Sequence, residues 1–230
     1  MESEFKLVER GFKETLVLIP GWASDYRIFN SLELDYNYIL PVKFLPFDFT
    51  KDLLGFLDNN SLDQVSLFGW SMGAFLAADF SAAFPARIKE LFFTGIRRKF
   101  PKDILEDVKL KIKKNWKAYL YRFYPDSFSA FDQDALAWFR KHLLKEYLSS
   151  MKPGELIAGL DYLAGARLKP QSLAGVKKIT IFHGCEDKIA PFSEARSISR
   201  SLPGSKFVSF PGAGHAVFLN SNFIQKFSHE

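Results

Sequence analysis

The amino-acid sequence predicts an α/β fold with a mostly parallel sheet, helices on both faces of the sheet, and a helical cap inserted between two strands. Short runs of apolar and β-branched residues, typical of strands buried on both faces, alternate with helical stretches along most of the chain. The alternation is interrupted once, by about seventy residues that show only helical periodicity. The first pattern predicts the sheet, and the interruption predicts the cap.

The elements before the interruption follow one another in the order expected for a parallel sheet. The apolar run Thr15–Ile19 ends at Pro20-Gly21, and the helix that starts at Met72 is stopped by Pro85. In order, the predicted elements are strand 15–19, strand 38–45, a helix from Asp48 or Thr50 to Leu57, strand 64–68, helix 72–84 and strand 90–94.

The insertion and the elements after it complete the prediction. Apolar residues at helical spacing predict cap helices at 103–120 and 134–148, and Pro153 opens a third helix that ends near Ala164. The chain then returns to strand 178–183, helix 194–201, strand 206–210 and a helical tail at 216–227. We therefore expect a core formed by residues 1–96 and 166–230, and a cap formed by residues 97–165.

Length and composition exclude several classes of protein. The 230 residues, 47% of them hydrophobic, are enough for one domain with a sizeable core. No apolar run is long enough to span a membrane, and the acidic start Met1-Glu2-Ser3-Glu4 does not resemble a signal peptide. The single cysteine, Cys185, excludes an internal disulfide, and we expect it to be a small buried residue. We expect a cytoplasmic monomer that does not bind membranes.

The net charge of +5 is concentrated in the predicted cap. Residues 97–165 contain fourteen Lys or Arg and nine Asp or Glu, an excess of five that equals the charge of the whole chain. These cations either form an ordinary solvated face or dock an acidic partner. The sequence contains no known nucleic-acid-binding motif, so we expect no nucleic-acid partner.

The strongest local motif is Gly69-Trp70-Ser71-Met72-Gly73, which matches G-x-S-x-G. An apolar strand precedes it and a helix follows it, as in the sharp turns that expose a nucleophilic serine. Glycines on both sides of the serine allow this turn to lie close to its neighbours. We interpret Ser71 as a nucleophile; the alternative is a purely structural turn.

A serine nucleophile needs a base, and a histidine base needs an acid that orients it. His215 follows Gly214 directly after the last strand, which favours it over His183, expected in the core or at a strand tip. Asp187 lies in the turn after the preceding strand, and the adjacent Glu186 is the competing acid. The order Ser71, Asp187, His215 is the nucleophile–acid–base order of α/β-hydrolases.

Two backbone N–H groups are needed to stabilise the oxyanion of an acyl-transfer intermediate. The N–H of Met72 directly follows the nucleophile, and the main chain of Trp22 lies in the loop after the first buried strand. The ring of Trp22 either forms part of the acyl pocket or packs in the core. Aromatic residues of the cap, including Phe123 and Phe128, either contact a hydrophobic substrate or pack between cap and sheet. The neighbouring aromatic residues in this group are Tyr121, Tyr124 and Phe131.

These motifs resemble those of the α/β-hydrolases over essentially the whole chain, and most closely those of the pimeloyl-acyl-carrier-protein methyl ester esterases of biotin synthesis. The resemblance rests on Gly21-Trp22, on the elbow around Ser71, on the cap and on the segment 214–218, Gly-His-Ala-Val-Phe. It implies a triad of Ser71, Asp187 and His215, with Trp22 and Met72 as oxyanion donors. In that family, basic cap residues dock an acidic acyl-carrier protein; Arg140, Lys141, Lys145 and Lys152 lie in the corresponding region. The chain departs from the family pattern at Pro20 and Ala74 and in its short N-terminal region.

The predicted function is a serine carboxylesterase that hydrolyses the methyl ester of pimeloyl-acyl-carrier protein through an acyl-enzyme. The alternatives are a thioesterase or a lyase of the menaquinone-pathway type on the same fold, and a non-catalytic protein that uses the fold as a ligand pocket. A second group of biotin-pathway esterases shares the Gly-Trp loop and the Trp-Ser-Met-Gly elbow. We expect no cofactor and no metal, because no spacing of His, Asp and Glu resembles a ligand set.

Overall fold

A seven-stranded, mostly parallel sheet forms the centre of the computed structural model, which describes residues 3–228. Its strands are β1 (Glu4–Val8), β2 (Thr15–Ile19), β3 (Asn37–Lys43), β4 (Val65–Trp70), β5 (Ile88–Thr94), β6 (Ile179–Gly184) and β7 (Lys206–Phe210). They lie side by side in the order β1-β3-β2-β4-β5-β6-β7. Only β1 is antiparallel to its neighbour, so the carboxyl ends of the other six strands meet at one edge.

Eight α-helices connect or cover the strands in the described part of the chain. They are α1 (Phe49–Asn59), α2 (Met72–Ala83), α3 (Lys102–Phe123), α4 (Gln133–Phe139), α5 (Lys145–Ser150), α6 (Pro153–Gly165), α7 (Phe192–Arg200) and α8 (Phe223–Ser228). A π-helical segment, Arg140–Leu144, joins α4 to α5. No helix between residues 3 and 228 is both long and apolar enough to cross a membrane.

The two central strands are buried on both faces, as their apolar sequences predict. Every residue of β2 and β4 is buried. Helix α2 lies unusually close to β2, because a Cβ added to Gly73 would be only 2.2 Å from the carbonyl oxygen of Ile19. Helix α8 contributes Phe223 to a cluster of phenylalanine rings in the core, and the ring centroids of Phe223 and Phe182 are 5.1 Å apart. This cluster accounts for part of the high phenylalanine content.

Helices α3 to α6 all lie between β5 and β6, where the sequence predicted the insertion. They are attached to the loops at the carboxyl edge of the sheet. The indole N–H of Trp22 donates to the Leu156 carbonyl at 2.8 Å, and the Tyr124 hydroxyl donates to the Ala23 carbonyl at 2.8 Å. The helical segments therefore cover the sheet edge at which the predicted site residues are found.

Three elements differ from the sequence prediction. Strand β1 was not predicted; it is a short edge strand. Helix α3 is kinked at Asn115, whose φ of −163° and ψ of 87° are not helical and whose side chain accepts from the N–H of Ala118 at 3.1 Å, as an N-cap does. The tail predicted as one helix consists of a 3₁₀ turn, Val217–Leu219, followed by α8, with extended backbone at Asn220 between them.

Candidate active site

Ser71 occupies the sharp turn between β4 and α2. Its φ of 56° and ψ of −115° lie in a region that residues other than glycine rarely adopt. The turn is held by the N–H of Ser71, which donates to the Thr94 carbonyl at 2.9 Å. A Cβ on Gly69 would lie 2.5 Å from the carbonyl oxygen of Gly73, so this glycine is required for the close approach of strand and helix. The motif therefore forms the strained elbow that its sequence predicts.

Asp187 and His215 form a buried pair. Nδ1 of His215 lies 2.7 Å from Oδ2 of Asp187, and the other carboxylate oxygen accepts from the backbone N–H groups of Ile189 and Ala190, at 2.8 Å each. Because an ionised carboxylate only accepts hydrogen bonds, Nδ1 of His215 carries the proton. This leaves Nε2 as the basic nitrogen.

The environment of Asp187 keeps its carboxylate ionised. Burial by itself raises the pKa of this group, but the neighbouring imidazole of His215, its hydrogen bond, His183 and the N–H of Ala190 together lower it. The net effect is a pKa below the ordinary value for aspartate. Asp187 is therefore suited to orient His215 and to stabilise an imidazolium.

The ring of His215 packs against Gly95 and lies 5.6 Å from the ring of Trp70, and its Nε2 makes no hydrogen bond to any described group. A Cβ on Gly95, whose φ is +58°, would lie 2.6 Å from Cε1 of His215, so only glycine fits there. The indole N–H of Trp70 donates to the carbonyl oxygen of His215 at 3.0 Å. Ser71 and His215 line the same cavity, and Nε2 is therefore available to a group in that cavity.

His183 lies beside the pair in the protein core. Its Nε2 is 2.9 Å from the Ala190 carbonyl oxygen and 3.5 Å from Oδ2 of Asp187. A carbonyl oxygen only accepts, so Nε2 carries the proton, and Nδ1 has no partner among the described residues. Burial lowers the pKa of His183 more than the neighbouring Asp187 carboxylate raises it. His183 is thus a neutral core residue that supports the turn carrying Asp187.

The buried neutral His183 should make stability pH-dependent. Its folded-state pKa is depressed, so its contribution is present above the unfolded pKa of about 6.5 and is lost as pH falls below that value. Between pH 6.5 and 5.5, this residue should lower the free energy of unfolding by up to about 1.4 kcal/mol per pH unit. Urea unfolding of the wild type and of His183→Gln, which keeps an N–H donor, should show a shallower pH dependence in the variant. Equal slopes would contradict the assignment of a neutral buried histidine.

Of the two predicted oxyanion donors, Met72 is part of the elbow and Trp22 lies in the loop after β2. Met72 is the first residue of α2, where backbone N–H groups have no acceptor within the helix. Trp22 lines the cavity that contains Ser71, and its ring lies 5.2 Å from the ring of Phe123. Met72 lines a second cavity, which Trp22 also lines. Gly21, next to Trp22, is so close to the elbow that a Cβ there would lie 3.2 Å from the Cβ of Ser71.

The cavity that Ser71 and His215 line, called the main cavity below because of these two residues, has a volume of about 240 Å³ and is largely apolar. Phe123 and Phe128 line it, as does Tyr124, and burial raises the pKa of the Tyr124 hydroxyl far above its ordinary value. Tyr121 and Phe131 belong to the same predicted aromatic group. They are instead 61% and 79% exposed and do not line this cavity. The aromatic group predicted from the sequence is therefore divided between the cavity wall and the surface.

The remaining candidates lie outside the cavity. Glu186, the competing acid, is exposed, and its backbone N–H donates to the Ala213 carbonyl. Cys185 is half-buried rather than buried, and burial raises the pKa of its thiol. His142 is exposed on the cap, and His229 is outside the described residues. Three basic cap residues are exposed and do not line the main cavity: Arg140, Lys141 and Lys145.

Several residues around the site were not predicted. Trp70 and Gly95 confine His215, and Arg97 and Lys188 line the cavity. Gly95 directly follows a strand predicted from the sequence, so its position at a strand end could have indicated that it lies near the site. The contacts of Arg97 and Lys188 depend on which strands become neighbours, so no local pattern could have revealed them.

Comparisons with known proteins identify the family and the fold. The model for the alpha/beta hydrolase fold family matches residues 43–221. A pimeloyl-[acyl-carrier protein] methyl ester esterase of Nitrosomonas europaea is 27% identical over 228 residues, covering 89% of this chain and 90% of that protein. A protein of the same name from Pseudoalteromonas atlantica is 26% identical over 227 residues, covering 94% of this chain and 81% of that protein.

Solved structures share the fold at lower identity. A thermophilic esterase from Thermogutta terrifontis superimposes with a TM-score of 0.84 at 19% identity, covering 99% of this chain and 92% of that one. An esterase from Exiguobacterium antarcticum has a TM-score of 0.80 at 19% identity, covering 99% and 93% of the two chains. At this identity the likeness shows the fold alone.

Proposed function

The chain belongs to the alpha/beta hydrolase family and is a hydrolase, and we propose that it is a serine carboxylesterase with Ser71 as its nucleophile. The observation that carries this proposal is the buried pair of Asp187 and His215, whose free Nε2 and the strained Ser71 line one cavity. A serine hydroxyl is a weak nucleophile unless such a base is present. The arrangement is the one that acyl transfer requires.

In the proposed mechanism, Nε2 of His215 takes the proton of Ser71 as the hydroxyl oxygen attacks the ester carbonyl. The backbone N–H groups of Trp22 and Met72 stabilise the oxyanion, and Asp187 stabilises the imidazolium. His215 then protonates the leaving alkoxide, and the alcohol departs. Water activated by His215 hydrolyses the acyl-enzyme and restores Ser71.

We further propose that the substrate is the methyl ester of a pimeloyl chain bound to an acyl-carrier protein. Two relatives whose similarity covers most of this chain are named pimeloyl-[acyl-carrier protein] methyl ester esterase. The apolar cavity of about 240 Å³ suits an aliphatic acyl chain. Arg140, Lys141 and Lys145 are exposed cations without an ion-pair partner between residues 3 and 228, and they form the proposed docking surface for an acidic carrier.

The test uses one substrate that contains both candidate bonds. Pimeloyl-acyl-carrier protein methyl ester carries an oxygen ester at one end of the acyl chain and a thioester at the other. We expect the enzyme to release methanol and to leave the thioester intact, as followed by methanol assay and by mass spectrometry of the carrier. Release of the free carrier protein would instead favour the thioesterase alternative.

The docking surface is tested with a charge-matched control. Changing Arg140, Lys141 and Lys145 together to Ala should raise KM for the carrier-bound ester about tenfold at low salt and leave KM for a small free ester unchanged. The control triple variant changes Lys13, Lys51 and Lys177 to Ala; these residues are exposed and do not line the main cavity. Equal effects of the two triple variants would contradict carrier docking at this surface.

A further inference from the structure

The main cavity contains two cationic side chains and no acidic one. Arg97 and Lys188 line it, whereas no Asp or Glu of the described residues does. Both follow the carboxyl ends of neighbouring parallel strands, Arg97 after β5 and Lys188 after β6. An apolar cavity that is lined by two cationic side chains favours a ligand that is apolar along most of its length and anionic at one end.

Arg97 is a largely buried guanidinium with unused hydrogen-bonding capacity. Its side chain is 15% exposed; one terminal nitrogen donates to the Ile189 carbonyl at 3.0 Å, and the other lies 3.5 Å from the Glu194 carboxylate. Its Nε–H is buried and has no partner among the described residues. The Phe100 ring, 4.8 Å below the guanidinium carbon, holds the group against the cavity wall. The guanidinium of Arg97 therefore does not satisfy all of its donors within the described residues.

Glu194 offsets only part of this charge. Its carboxylate contact with Arg97 is long, at 3.5 Å, and its other oxygen accepts from the backbone N–H of Arg98 at 2.7 Å. Lys188 is exposed and has no ion-pair partner among residues 3–228. The cavity wall formed by these side chains therefore keeps a positive charge.

Of the two cations, Lys188 lies at the opening of the cavity and Arg97 lies deeper in its wall. Most residues that line the cavity are buried, but Ile104 is 52% exposed and Lys188 is exposed. The opening therefore lies beside the start of α3 and the turn after β6. A substrate whose carbonyl is at Ser71 and that extends through this opening passes Lys188.

We propose that Arg97 and Lys188 form an anion subsite that recognises a carboxylate or phosphate on the acyl part of the substrate, distal to the ester. This inference rests on the proposed esterase function. If the ester is a methyl ester, its leaving alcohol is small and uncharged, so the anionic group must belong to the acyl part. The group is either a free terminal carboxylate or the phosphate of a carrier's pantetheine arm, because both present oxygens to the same donors.

Two pairs of substrates separate these sources. The first pair is monomethyl pimelate and dimethyl pimelate, which differ in one carboxylate; the rate for the diester is halved to allow for its two equivalent esters. The second pair is methyl pimeloyl-pantetheine and methyl pimeloyl-4′-phosphopantetheine, which differ in one phosphate. We expect kcat/KM of the wild type to favour the anionic member of at least one pair about tenfold or more, mainly through KM. The pair that shows this preference tells whether the subsite recognises a terminal carboxylate or the phosphate of a pantetheine arm.

The variants Arg97→Met and Lys188→Met should each lower this anionic-to-neutral ratio, and the ratio is independent of any general loss of activity. Lys177→Met is the matched control, because Lys177 is exposed near the amino end of β6 and does not line the cavity. A ratio near one in the wild type for both pairs, or an unchanged ratio in both variants, would overturn the subsite.

Calorimetric binding of the same pairs to Ser71→Ala keeps the subsite testable without turnover. If the wild type hydrolyses none of the esters but the Ser71→Ala protein still binds the anionic members more tightly, the proposed esterase function fails and the subsite stands. If the neutral esters are hydrolysed and neither pair shows a preference in rate or binding, the subsite fails and the esterase function stands.

Discussion

Replacing Ser71 with Ala should lower kcat for ester hydrolysis by about a million-fold, because the acyl-enzyme route is lost when its nucleophilic oxygen is removed. The residual rate should still exceed that of the uncatalysed reaction, since the backbone N–H groups of Trp22 and Met72 remain to stabilise an oxyanion. The fold should be retained, because the hydrogen bond from Ser71 to Thr94 uses the backbone N–H and not the side chain. The measurement is methanol release from a methyl ester, followed to long times.

A serine of β4, the strand that precedes Ser71, provides the control for this prediction. Ser66 lies on β4, is 1% exposed, and its hydroxyl has no partner within residues 3–228. Ser66→Ala should keep wild-type activity and should not lose stability, since it removes a buried hydroxyl that makes no hydrogen bond. A fluorophosphonate should label Ser71 in the wild type and in Ser66→Ala, but should not label Ser71→Ala. Wild-type turnover by Ser71→Ala would reject the nucleophile assignment.

The elbow and the positions of the three triad candidates could be predicted from the sequence because each depends on local signals. An apolar strand, two glycines and a helix rich in small residues determine the turn at Ser71 almost by themselves. Asp187 and His215 each follow a predicted strand, and parallel strands bring their carboxyl ends to one edge. The resemblance to α/β-hydrolases, confirmed by the family match to residues 43–221, is carried by the same local motifs.

Features that depend on tertiary contacts could not be predicted in this way. Strand β1 is an edge strand that pairs with β3, and its polar–apolar alternation, Glu4-Phe5-Lys6-Leu7, is too short to predict a strand by itself. The kink at Asn115 falls within an apolar stripe that continues on both sides of it, so periodicity alone predicts one straight helix. Arg97 gives no sequence signal, because its role depends on Ile189 and Glu194, more than ninety residues later.

The cap and the loop that carries His215 are joined by hydrogen bonds that the sequence also did not reveal. The backbone N–H of Gly214 donates to the Asp132 carboxylate at 2.6 Å, and the N–H of Ala216 donates to the Ser127 carbonyl at 3.0 Å. The Ser129 hydroxyl also donates to the Gly212 carbonyl. The cap thus holds the loop on both sides of His215 as well as covering the cavity.

Replacing Asp187 with Asn should lower kcat by about ten-thousand-fold with little change in fold, because it reverses the tautomer of His215. The reason lies in the three donors around the carboxylate. One oxygen accepts from the N–H groups of Ile189 and Ala190, so the amide oxygen of the variant must point toward them. The amide nitrogen then faces Nδ1 of His215, where the carboxylate oxygen was. Since the amide N–H can only donate, Nδ1 must lose its proton, and the proton moves to Nε2.

A protonated Nε2 in neutral imidazole cannot accept the proton of Ser71, so the base is lost although the ring keeps its contacts with Gly95 and Trp70. KM should change little, because Asp187 does not line the cavity. The neighbouring change Glu186→Gln is the matched control: Glu186 is exposed, and this variant should keep wild-type kcat. NMR of the His215 ring should show the proton on Nε2 in Asp187→Asn and on Nδ1 in Glu186→Gln. If Glu186→Gln had the larger effect on kcat, the acid of the triad would be Glu186 rather than Asp187.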